Sequence, residues 1–145
     1  MSFDPERLRA LANAKQAEYE ENDRRELAAF EAEKLAALSE WLNAQLECAA
    51  RDGSRSVTLK FDSNYPGHST AFNDPTLRES GGRWYAYLTG PYDFDLGADR
   101  LFYVGSFTLP ISGVAGRVIE LLQKAGITAT LSDTSSFQKS VDISW

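Results

Sequence analysis

The spacing of apolar residues predicts an α+β fold, and three observations carry that reading. From Pro5 to Asp52 the chain has no further Gly or Pro and is rich in Ala, Leu, Glu, Arg, Lys and Gln, residues that lose little freedom on entering a helix. Beyond Gly53 the apolar period changes from helical to alternating. A helical period returns between Ser112 and Ala125, ahead of two more alternating runs. The expected order is one long N-terminal helix, or two helices broken near Asn22, then a sheet of about five strands with one helix inserted before the last two, β-β-β-α-β-β. Residues 1–53 form a helical arm in this reading, and residues 54–145 form a small α+β body with an aromatic hairpin at 83–108.

The first helix has a legible start and stop. Asp4 is a good N-cap, and Pro5 follows at the first helical position, where a missing N–H costs nothing. Ala49-Ala50-Arg51-Asp52-Gly53 puts a glycine where a left-handed cap is wanted. Leu8 and Leu11 make a short apolar stripe, and Lys15 to Glu26 is mostly polar. From Leu27 the apolar surface widens through Phe30, Leu35, Leu38, Trp41, Leu42, Leu46 and Ala49. That breadth exceeds a coiled-coil seam, so this half packs on a domain or on several helices. Asp23 and Glu26 have the spacing of a capping box, which is the case for a break near Asn22. An unbroken helix would be about 70 Å long and would need a partner chain to cover it.

The strands follow in turn. Val57, Leu59 and Phe61 alternate with Ser56, Thr58 and Lys60, giving a half-buried strand. Residues 62–82, rich in Ser, Asn, Asp, Pro and Gly, read as a loop. Arg83 to Thr89 and Leu101 to Thr108 are aromatic-rich strands joined by a long tip. Ser112 is placed to cap a helix whose apolar face is Val114, Val118, Leu121, Leu122 and Ala125, with Gly126 as its stop. Ile127, Ala129 and Leu131 alternate, then turn residues, then Val141, Ile143 and Trp145.

Charge and rare residues exclude several functions. The formal net charge is −6, and residues 1–50 hold eleven acids against six bases. No basic stripe suited to duplex nucleic acid is present. No apolar run approaches the ~18–20 residues of a membrane helix, and the acidic start does not resemble a signal peptide. A lone Cys48, expected as a small buried residue, forms no internal disulfide, and a lone His68 leaves no multi-histidine metal motif. No cofactor is expected.

Each candidate for chemistry has a plainer alternative. His68 beside Ser69 and Thr70 lacks a clear orienting carboxylate, so no catalytic residue is assigned. Asp93, Asp95 and Asp99 surround Gly97, but the pattern lacks the distal glutamate of a calcium loop and reads as a turn. The hairpin is the most informative surface. Tyr85, Tyr87 and Tyr103 put aromatics on both faces of alternating strands, as interfaces do. Together with Arg83 and Arg100 they would otherwise form a site for a nucleotide or another small ligand. Trp145, last of an alternating trio, ends a core strand or anchors a docking tail. The expected interface set is Leu27, Phe30, Leu35, Leu38, Trp41, Leu42, Tyr85, Tyr87, Tyr103 and Trp145.

Four short segments carry a resemblance: Ala49-Ala50-Arg51-Asp52-Gly53, Ser56-Val57-Thr58, Leu122-Gln123-Lys124-Ala125-Gly126 and Ile143-Ser144-Trp145. In this order they resemble small uncharacterised proteins encoded by bacteriophages, over residues 35–61 and 110–145. Residues 62–108 depart from that pattern by inserting the aromatic hairpin. The resemblance implies a phage origin, as a virion component or an early host-takeover protein, in the cytoplasm of the bacterial host or in the virion. It implies no activity. The expected partners are a second copy of the chain and another protein.

Overall fold

A computed structural model describes residues 3–62, 82–90, 101–107, 111–135 and 138–145. Among the described residues three helices and five strands follow in the order α1 (Pro5–Glu33), α2 (Leu35–Arg51), β1 (Ser56–Asp62), β2 (Gly82–Thr89), β3 (Leu101–Phe107), α3 (Ser112–Lys124), β4 (Thr128–Ser135) and β5 (Gln138–Ser144). The fold is α+β, with β-β-β-α-β-β order after the helices. All strand pairs are antiparallel, and the sheet runs β3-β2-β1-β5-β4.

The helix starts and stops follow from backbone bonding. The Asp4 carboxylate accepts from the Arg7 N–H at 3.1 Å, which caps α1. α2 and α3 end alike. The Gly53 N–H donates to the Ala50 carbonyl and the Ser54 N–H to the Ala49 carbonyl, both at 3.0 Å. The Gly126 and Ile127 N–H groups repeat that pattern on Gln123 and Leu122. This double closure requires a left-handed residue, and φ is +88° at Gly53 and +82° at Gly126. The start of α3 differs from expectation. Ser112 is already helical, Ile111 holds the N-cap position, and no side chain caps the end.

The N-terminal helix breaks at Lys34 and not near Asn22. Asn22, Asp23 and Glu26 lie inside an unbroken α1 of 29 residues, so no second capping box forms there. Lys34 leaves helical geometry at φ −126° and ψ −18°, although its N–H still reaches the Phe30 carbonyl at 2.8 Å. The apolar stripe shifts in phase across the break. At about 100° per residue, the Leu38–Leu42 face lies roughly 100° around the helix from Phe30. Across the break the Lys34 ammonium lies 4.4 Å from the centre of the Tyr103 ring.

The sheet has one apolar face, and the helices cover it. Val57, Leu59 and Phe61 of β1 share that face with Trp84, Ala86 and Leu88 of β2, Ala129 of β4, and Val141 and Ile143 of β5, all buried. Leu38, Leu42, Leu46 and Ala49 of α2, and Val114, Ala115, Val118 and Leu122 of α3, close over it as one continuous core. The end of α1 joins through Phe30, whose ring centre is 6.2 Å from that of Phe107. The division at Gly53 therefore separates elements, not cores: α2 is the lid of the sheet.

The core ranks its side chains clearly. Phe61 is fully buried at the centre of the sheet, whereas Leu8 is 61% exposed. Phe61→Ala should lower unfolding free energy by about 3–5 kcal/mol, and Leu8→Ala should change it by less than about 0.5 kcal/mol. Urea denaturation of the two variants, compared at equal m-values, checks both outcomes.

Candidate functional site

Surface left over after the core is closed defines where this chain can act. Every residue from Phe3 to Glu18 is exposed. The first half of α1 projects from the body and carries Leu8 and Leu11 into solvent, 61% and 59% exposed. Half-burial starts with Tyr19, whose ring lies under Lys15, and α1 joins the core through Leu27 and the buried Phe30. Leu8, Leu11, Lys15, Tyr19, Asn22, Glu26 and Phe30 recur at three- or four-residue spacing, so they share one side of the helix. The stripe that docks α1 on the body thus continues past the body along the free part of the helix. Lys15 is drawn back along it, with its ammonium 5.0 Å from the centre of the Tyr19 ring and 3.5 Å from the Glu18 carboxylate.

The expected interface residues divide into two groups. Phe30, Leu38 and Leu42 face the chain's own sheet and are buried, so in this fold they meet the body and not a partner. Leu27, Leu35 and Trp41 pack half-buried on the same core, Trp41 with its ring centre 5.6 Å from that of Phe102. On the opposite face of the sheet Tyr87 is buried, Tyr85 half-buried and Tyr103 42% exposed, whereas Trp145, two residues beyond the core-facing Ile143, is also 42% exposed. Tyr85 and Tyr103 pack with tilted rings across β2 and β3, centroids 5.5 Å apart, and the Tyr103 hydroxyl is 2.8 Å from that of Ser106. Trp145 donates its N–H to the Arg55 carbonyl at 3.0 Å, three strands from β3. The two exposed aromatics do not form one surface.

Arg83 is exposed on β2. Arg100, its companion in the ligand reading, lies outside the described residues, as do His68, Asp93, Asp95 and Asp99. Among the described residues no cluster of three or more His, Cys, Asp or Glu could hold a metal. No described helix is long and apolar enough to cross a membrane. Cys48 is exposed on α2, contrary to expectation, because its neighbours Leu46 and Ala49 already fill the buried side of that turn.

Among the described residues three clefts lie elsewhere on the surface, and Arg83, Tyr85, Tyr87 and Tyr103 line none of these three. One of about 260 Å³ sits where α1 meets the start of α3, with Asp23, Glu26 and Leu27 opposite Ser112 and Gly113. Acids beside a helix N-terminus complement its partial positive charge. The Glu31 carboxylate ties α1 to Arg117 of α3 nearby. Glu120 and then Glu31 raise the pKa of that guanidinium by hydrogen bonding. A second cleft of about 160 Å³ is apolar, between α2 and α3. The third, about 240 Å³, lies on the polar face among hydroxyls of β1, β4 and β5. There Asp142 accepts from Thr58 on one side and Ser132 on the other, both at 3.0 Å, and so bridges three strands.

Comparison with family models, curated proteins and solved structures finds no match to this chain. The geometry is the guide to function.

Two outcomes test this surface description. Native protein should release one equivalent of thiolate product with Ellman's reagent, at a rate that urea raises only slightly, because Cys48 is already open to solvent. Asp142→Ala should cost about 1–2 kcal/mol of stability by urea titration, as two charge-assisted hydrogen bonds are lost at an exposed site.

Proposed function

We propose that this chain is a non-enzymatic, phage-type protein that acts by protein contact, with the free part of α1 joining copies of itself or a neighbouring protein. Its role is that of a virion component or an inhibitor of a host protein. The observation that supports the reading is the uncovered run from Phe3 to Glu18 with Leu8 and Leu11 on the side that docks farther along. An isolated helix of this length is marginal in water, and most helical stability comes from packing an apolar face. A partner supplies that packing for the free turns.

Light scattering on a purified sample checks the reading. Wild-type chain at tens of micromolar is expected above its monomer mass of 16.1 kDa. The Leu8→Glu/Leu11→Glu variant is expected to run as a monomer that still unfolds in one cooperative transition, because neither side chain serves the core. A wild-type chain that stays monomeric and gains several degrees of Tm from a nucleotide would replace contact with ligand binding.

A further inference from the structure

We infer that the free part of α1 pairs antiparallel with the same segment of a second copy, in a two-fold helix pair steered by charge. This deepens the reading above and rests on it. The occupant is identified by the distribution of charge along one helix. Pro5 to Lys15 holds three bases (Arg7, Arg9, Lys15) and one acid, for a net +2. Residues 16–33 hold seven acids and two bases, for a net −5. A basic tip on an acidic base is complementary to itself when reversed. Parallel pairing would set tip on tip and base on base, and it would place Lys15 against Lys15 in the seam.

The helical wheel sets the register. With Leu8 of one copy beside Tyr19 of the other, and Leu11 beside Lys15, the apolar stripes meet over the free turns. Residues on the same flank of each helix then face one another, as in antiparallel coiled coils. Arg7 and Glu18 lie on one flank, so Arg7 of each copy meets Glu18 of the other, twice by symmetry. Glu18 is exposed, held only by a 3.5 Å contact with Lys15. The Lys15 stem lies along Tyr19 and leaves its charge at the edge of the seam.

Symmetry makes the arrangement testable without relying on any one variant. In an Arg7→Glu homodimer both pairs become Glu–Glu, and in a Glu18→Arg homodimer both become Arg–Arg. Each variant should self-associate about tenfold or more weakly than wild type, since two exposed attractive pairs turn repulsive. Mixing the two variants restores two opposite-charge pairs in the heterodimer. Sedimentation velocity of the equimolar mixture should return association to within about threefold of wild type, with the gain fading in 0.5 M salt as screening shortens. Both sites lie outside the core, so each variant alone should still unfold in one cooperative transition. If the wild type associates and Leu8→Glu/Leu11→Glu disperses it, yet the mixture shows no recovery, antiparallel pairing is wrong and the arm remains a contact surface. If wild type and mixture are both monomeric throughout, self-pairing is wrong as well.

Discussion

A twisted antiparallel sheet with one apolar face has to be covered, and the rest of this molecule follows from how that is done. Val57, Leu59, Phe61, Trp84, Val141 and Ile143 present a surface that only a helical layer can close. The chain supplies α2 and α3 for it, entering from opposite ends of the sequence. Both stop on the same glycine-based closure, which turns each helix directly into a strand of the sheet it covers. α1 is surplus to that layer except at its end, where Phe30 reaches Phe107 and Glu31 reaches Arg117. The protruding helix is what remains once the sheet is covered.

The break at Lys34 is the joint between these two uses of helix. Nothing in its local chemistry marks it, since Glu33, Lys34 and Leu35 are all good helix formers. Phe30 on one side of it and the Leu38–Leu42 face on the other both enter one core. A tertiary demand overrides local preference here, and a cationic side chain over the Tyr103 ring occupies the corner that results.

Much of this was legible in the amino-acid sequence, and the exceptions have physical causes. Alternation around Leu59 and Val141 located strands, and the glycines at 53 and 126 located helix ends, because both signals are local. Asp23 with Glu26 had the spacing of a cap but serves inside a helix, where the pair lines the cleft beside α3. Cys48 was misjudged because a small residue on an amphipathic helix is assigned a side only by its neighbours, and Leu46 and Ala49 had taken the buried one. The wide apolar face after Leu27 was readable as a packing surface, but whether it met the chain's own sheet or another chain was not. That depends on strand order, which no local pattern encodes. The free stripe was visible as Leu8 and Leu11, while its continuity with Phe30 needed the course of α1 through Asn22.

The central pair of the sheet joins distant parts of the chain. β1 lies between β2 and β5, and Ser56 is paired with Ser144. Helices and the β4–β5 hairpin can form from contacts close in sequence, but β1 gains its second neighbour only after nearly ninety further residues have been made. Closing so large a loop is slow compared with forming local structure. During synthesis α1 and α2 therefore precede the surface that α2 is built to cover. Until β5 arrives, Leu38, Leu42 and Leu46 lie open beside Leu8 and Leu11 on a nascent chain. The cover of α2 is completed only when the far end of the chain has joined β1.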